Sequence, residues 1–208
     1  MPYGRDLDKI IRGLFRLPGD WAYVNLDEAS AHLAAADPNP CLDPNYCWGW
    51  VDHLARQQEA VRTYGGYMED RSRVWRGSYL PPNGAIHLGV DYNVDPGTVV
   101  HCPADCTLVR SVRHTDQDGG WGGQIVLRRG DLYLVLGHLA PYLLPGPEGV
   151  EIEKGWVIGQ VGAPVENGGW YPHLHVQCCT ADDPAVDGYA AWTNDLKDRF
   201  PHPDTWLA

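Results

Sequence analysis

The chain has 208 residues, 44% of them hydrophobic, and a formal net charge of -11. That length buries a substantial core, so one domain with an appendage is expected, and no low-complexity tract suggests disorder. The acidic balance argues against nucleic acid, anionic membranes and anionic wall polymers as partners, because the long-range field repels them.

The N-terminus, "MPYGRDLDKIIRGLFRLPGD", has acids between its apolar positions and no apolar core of the kind a secretory signal needs. The longest apolar run, "LYLVLGHLAPYLL", is broken by Gly137, His138 and Pro141 and is too short to span a bilayer. These features predict a cytoplasmic protein, unless a leader was removed or lysis releases the chain. In that compartment the six cysteines (Cys41, Cys47, Cys102, Cys106, Cys178 and Cys179) are expected as reduced thiols. Cys178 and Cys179, adjacent on a strand, point to opposite faces.

The first predicted helix carries Leu7, Ile10, Ile11, Leu14 and Phe15 as one apolar stripe and stops at Pro18 and Gly19. Asn25 and Glu28 have capping-box spacing and start a second helix that runs to about Ala36. A third is predicted from Tyr46 to Tyr64, with Trp48, Val51, Leu54, Ala55 and Val61 inward and Gly65-Gly66 as its stop. Residues 1–70 thus read as a helical N-terminal extension without catalytic signature: a lid, a dimer surface or a packing layer.

Residues 71–180 change texture to short β-rich runs separated by Gly, Pro, Asn and Asp turns, among them "AIHLGVDYN", "TVVHC", "CTLVRSVRH", "GQIVLRR", "LYLVLGHL", "WVIGQVG" and "HLHVQCC". Without helices between them, such strands predict an antiparallel sandwich or barrel-like core. The tail, 181–208, holds one short helix and wraps that core. The fold class is α+β, mainly β.

Within these strands the histidines are placed for chemistry. His87 and Asp91 in "HLGVD" would stand ~13 Å apart on a straight strand, at about 3.3 Å per residue. Both reach one metal only if the chain bends between them, and Gly89 is where a bend is cheapest. In "HLH", His173 and His175 share one strand face about 7 Å apart, which suits one direct ligand and one group aimed at what the metal holds. Each spacing alone is equally compatible with ordinary surface or partly buried residues, as is His138 at a probable strand end.

Together the blocks resemble the lysostaphin/LytM-type zinc metallopeptidases, which cut bonds in bacterial cell-wall peptides. "HLGVDYNVDPGTVVHCPADCTLV" is similar to the family's His-x-Gly-x-Asp segment and its following turns. "GGWGGQIVLRRGDLYLVLGHLAP" resembles its Gly-rich strand pair and Tyr-x-His-Leu ending, "VEIEKGWVIGQVG" its hairpin, and "YPHLHVQ" its Pro-His-Leu-His signature. The match runs from about Ala85 to Gln177. The resemblance implies one zinc ion per chain held by His87, Asp91 and His175, with His138 and His173 as acid/base or charge-stabilising groups. Two histidines and a carboxylate leave a fourth position for water, as in catalytic zinc sites. With no His-Glu-x-x-His helix, a neutral histidine must take the proton, and the other stabilises the oxyanion. The two roles stay open between His138 and His173. The chain departs from the family at Cys102 and Cys106, in place of Ala and Gly, and at Trp170 and Tyr171, where small residues are usual. Trp121, Trp170 and Tyr171 are groove candidates, with Trp75 and Tyr79 beside them. Bulky rings there narrow a peptide groove or simply pack.

"HCPADC" with His114 and "CLDPNYC" with His53 lack the spacing of a closed Cys/His zinc site. Three functions follow: a zinc-dependent hydrolase cleaving a peptide bond, an intracellular zinc enzyme using the same site on a small molecule (hydrolase, lyase or cyclase), or a metal-stabilised binding protein. The partner is accordingly a peptide or small-molecule substrate.

Overall fold

The apolar runs in the middle of the chain assemble into one eight-stranded sheet in the computed structural model, which describes residues 7–81, 83–141, 146–183 and 187–208. Its strands are β1 (Trp21–Tyr23), β2 (Arg62–Gly65), β4 (Val90–Asn93), β6 (Cys106–Arg113), β7 (Gly123–Arg129), β8 (Leu132–Leu139), β9 (Glu151–Ile152) and β11 (Leu174–Cys179). They lie in the order β1-β2-β4-β11-β8-β7-β6-β9, antiparallel throughout except for the β1–β2 pair. Two antiparallel ribbons complete the β structure: β5 (Val99–His101) with β10 (Val157–Gln160), and β3 (Ile86–His87) with β12 (Tyr189–Ala190).

Both faces of the central strands are covered, which is why they read as continuous apolar runs rather than alternating ones. On one face Ile125, Leu127, Leu134, Leu136, Leu174 and Val176 pack with Trp206 and with Ile10, Leu14 and Phe15 of α1 (Leu7–Leu14) and its end. On the other, Val126, Val135 and Cys179 meet Leu196 and Phe200 from α4 (Leu196–Arg199) and its end. Residues 1–6 of the predicted extension lie outside the described residues.

α2 (Leu26–Ala34) starts where the capping pattern places it, with the Asn25 side chain accepting the Glu28 N–H. α3 (Pro44–Gln57) is capped by Asp43, but it ends seven residues before Tyr64, the expected last residue. The Ala60 N–H bonds back to the Ala55 carbonyl and the Glu59 N–H to that of Arg56, with Glu59 in the left-handed region (φ 55°). That pattern closes a helix with the geometry usually given to glycine. Beyond it, Arg62–Gly65 is strand β2, and Val61, expected inward, is exposed. The extension is therefore not only helical: β1 and β2 lengthen the sheet, while α2 and α3 pack with Trp75 and Tyr171 in a separate apolar cluster. No helix of the described residues is long and apolar enough to cross a membrane.

Candidate functional site

The sheet register builds the site. β11 runs between β4 and β8, which sets His175 opposite Asp91 on one side and opposite Gly137 on the other. His87 enters from β3, which is separated from β4 by two residues, Leu88 and Gly89. Gly89 bends the chain there and lets β11 approach: a Cβ on it would lie 2.6 Å from the Val176 carbonyl and 2.7 Å from the His175 ring. The bend brings His87 Nε2 to 3.3 Å from Asp91 Oδ1, against the ~13 Å of a straight strand. His138 follows Gly137 where the β7–β8 register shifts, and it takes a left-handed φ of 64°. A non-glycine residue there costs about 1–3 kcal/mol, strain of the kind that clusters at functional sites. Its ring centre lies 4.5 Å from that of His173.

Three ligand-type atoms converge. His87 Nε2 is 3.0 Å from His175 Nδ1, and His175 Nδ1 is 3.1 Å from Asp91 Oδ1. His173 Nε2 lies 3.5 Å from the same carboxylate oxygen. The opposite ring nitrogens fix the tautomers. His87 Nδ1 donates to the Gly66 carbonyl at 3.0 Å, His138 Nδ1 to Asn167 at 2.8 Å, and His173 Nδ1 to Tyr171 at 2.7 Å. His175 Nε2 donates to Gln177 Oε1 at 3.0 Å, an orientation set because the Gln177 amide nitrogen donates to the Asp187 carbonyl. In the neutral rings the nitrogens facing inward therefore carry lone pairs. His87 Nε2, His175 Nδ1 and Asp91 Oδ1 meet with no proton between them, an arrangement that a cation relieves. Among the described residues this is the one group of three or more metal-ligating side chains within reach of one another.

Electrostatics keep the donors free. Burial, reinforced by the Arg71 cation, pushes His87 down to about 3. Burial and the facing rings of His173 and His175 hold His138 well below its ordinary value. His173 is also lowered by burial, with Asp91 pulling the other way. For Asp91 burial alone would raise the carboxyl, but His87, His173 and Arg71 more than offset it and hold it well below the usual range. All four groups are thus in their lone-pair-bearing forms near neutral pH.

The sequence reasoning had not singled out Arg71. Its guanidinium is buried, 2.5 Å from Asp91 Oδ2 and 3.3 Å from Glu69 Oε1, so the carboxylate that faces the histidines is shared with a fixed cation. Burial opposes that charge, and Asp91 and Glu69 outweigh it. Gln177, Asn167 and Tyr189 were also missed. Asn167 holds the approach to "HLH" by bonds to Gly162, Tyr171 and the Trp170 N–H. Tyr189, brought by the β12–β3 pairing, accepts the Trp75 indole N–H at 2.8 Å and covers His87 with its ring. Arg71 and Asn167 sit in irregular segments, and Gln177 and Tyr189 on strands whose pattern marks no polar partner.

The aromatic groove candidates surround a space of about 20 Å³ beside the histidines, enough for about one water. Trp121 stacks on His138 and meets His175 edge-on; Trp170 borders His138 and stands edge-on to Trp75. Tyr171 is buried with its ring stacked 4.5 Å from His173. Cys102 and Cys106 have sulfurs 3.3 Å apart and pack in the main core with no histidine between them.

Residues 85–187 match the model of peptidase family M23. No curated protein matches the sequence. Among solved structures the chain is similar to the catalytic domain of the prophage-encoded M23 protein EnpA from Enterococcus faecalis, at 17% identity over 64% of this chain and 85% of that one (TM-score 0.42). It is similar to the catalytic domain of lysostaphin from Staphylococcus simulans at 23% identity over 54% and 74% (TM-score 0.37). A zinc-containing peptidase from Vibrio cholerae shows 21% identity over 45% of this chain, which spans only 27% of that protein (TM-score 0.38).

Proposed function

Starting from a chain that belongs to peptidase family M23, we propose a zinc metallopeptidase in which His87, Asp91 and His175 hold one zinc ion and His138 and His173 act on the scissile amide. One observation carries this reading. The three donor atoms are 3.0, 3.1 and 3.3 Å apart. Ligands about 2.0–2.1 Å from a tetrahedral ion stand about 3.3 Å from one another, so this triangle has nearly the edge lengths of a zinc-binding one. Gly66 and Gln177 fix the two imidazoles from behind, as outer partners of metal-bound histidines do.

When bound, the ion would supply a water activated near neutral pH and would polarise the substrate carbonyl. The remaining work falls to the chain. His138 and His173, neutral and with Nδ1 engaged by carbonyls, each turn Nε2 to the site. One accepts the proton released as water adds to the carbonyl carbon. The other stabilises the oxyanion once its Nε2 has taken a proton from solvent, which it gives back when the carbonyl re-forms. As the C–N bond breaks, the captured proton passes to the leaving amine, and the pair returns to its starting state.

A test is to measure zinc content and peptide cleavage together. His175→Ala should lose zinc and activity; His138→Ala and His173→Ala should keep about one zinc per chain and lose activity by about 10²–10⁴-fold. Undiminished cleavage in the His138 and His173 variants overturns the role assignment. A second reading, a zinc enzyme acting on a small molecule, is favoured by the tight walls: the space beside the histidines is about 20 Å³. Stoichiometric zinc with every tested peptide left intact would support it.

A further inference from the structure

Behind Trp170 lies a second cavity, of about 250 Å³. Its walls come from Leu42 and Pro44 at the entry to α3, from Trp75 to Tyr79, from the β6–β7 loop at Asp118, and from Gly169 to Tyr171. Trp75, Tyr79, Trp170 and Tyr171 border both this cavity and the space beside the histidines, so one aromatic partition divides the two.

The partition is held in place. The Trp170 indole N–H donates to the Gly120 carbonyl at 3.2 Å, and its backbone N–H to Asn167 Oδ1 at 2.9 Å. Its ring centre stands 5.2 Å from Trp75 and 6.3 Å from Tyr79, edge-on to both. Gly119, at φ 86°, lets Tyr79 lie flat on the β6–β7 loop: a Cβ there would be 2.1 Å from the tyrosine ring. The Gly119 N–H donates to the Gly168 carbonyl at 3.0 Å, tying that loop to the segment before Trp170.

The lining has one sign. Among the described residues no Lys, Arg or His lines the cavity, and the one acidic residue there is Asp118. Asp187 borders the neighbouring space, where the one arginine, Arg71, is already engaged by Asp91 and Glu69. Aromatic faces beside a carboxylate, with no competing cation, attract an organic ammonium group. A volume below the ~300–1,000 Å³ of whole-ligand pockets suits one side chain. We propose that this cavity is a specificity subsite for a substrate residue with a long amine-ended side chain, lysine-like in length and charge, next to the bond cut at the histidine cluster. The proposal rests on the peptidase reading above. It gives the N-terminal extension a role, since Leu42 and Pro44 close the subsite.

Trp75 and Trp170 are built-in reporters, so binding is measured by tryptophan fluorescence on the full chain. The probes are Nα-acetyl-lysine methylamide and its apolar isostere, Nα-acetyl-norleucine methylamide. The lysine probe should bind about tenfold more tightly, a preference that Asp118→Asn and Tyr79→Leu each reduce several-fold. Equal or tighter binding of the norleucine probe overturns the cationic assignment, and no saturable binding of either overturns the subsite. Peptide turnover is read separately. A lysine preference in binding with no peptide cut strikes the peptidase reading alone, while cleavage indifferent to lysine at every position strikes this proposal alone.

Discussion

Arg71→Met isolates the cation behind the metal-ligand triangle. The substitution keeps most of the side-chain bulk and removes a guanidinium that is 1% exposed, lies 2.5 Å from Asp91 Oδ2 and 3.3 Å from Glu69 Oε1. Breaking a buried ion pair from one side leaves an uncompensated charge and costs about 3–5 kcal/mol. Glu69 can escape by taking up a proton, because burial already raises its carboxyl. Asp91 loses in the variant one of the groups that hold it well below the usual range against its burial, so the rest of the cost falls on it. A divalent cation on Asp91 Oδ1 compensates the same carboxylate. The loss should therefore shrink by about 2 kcal/mol when metal is present, and zinc should stabilise the variant more than the parent. Urea unfolding of both proteins, with chelator and with excess zinc, gives the four free energies of the cycle. A loss equal in the two conditions within about 0.5 kcal/mol would refute the coupling of Arg71 to the metal through Asp91.

The metal-free protein should lose stability in acid. His87, His138 and His173 all have folded values below the ordinary histidine value, so the unfolded chain binds protons first. Their contribution is fully present above about pH 6.5 and is lost as pH falls toward the His87 value of about 3, with a slope of up to about 4 kcal/mol per pH unit; unfolding free energies flat from pH 7 to 5 would contradict it. Gly89→Ala should cost about 1–3 kcal/mol and weaken metal binding, because the added methyl meets the Val176 carbonyl and the His175 ring; unchanged metal affinity by competition with a chelating dye would count against the bend. The Tyr171 hydroxyl is buried with no hydrogen-bond partner among the described residues, so Tyr171→Phe should be neutral or stabilising by up to about 1 kcal/mol, and a loss above about 1 kcal/mol in thermal unfolding would show a partner for it.

The blocks that carry chemistry were legible because they sit on strands. A period of two puts His173 and His175 on one side, and the only economical route for His87 to reach Asp91 was a bend at Gly89. The end of α3 was not legible, because Glu59 occupies the left-handed closing position where glycine is the usual signal, and pairing of β2 with β4 overrides the helical pattern. Arg71, Asn167 and Tyr189 were invisible for a different reason. Each acts through contacts made by the finished fold, and a single polar residue has no pattern to read. Trp170 and Tyr171 stood out as unusual, but that they wall a second cavity depends on the placement of Leu42 and Tyr79, far away in sequence.

X-ray absorption at the zinc edge of the purified protein tests the central claim most directly, together with metal content. A centre of His87, Asp91 and His175 predicts about one zinc per chain surrounded by nitrogen and oxygen at about 2.0–2.2 Å, without sulfur. In His175→Ala that stoichiometric zinc should disappear. Sulfur scattering at about 2.3 Å would move the ion to the cysteines, and full zinc retention in His175→Ala would remove it from β11.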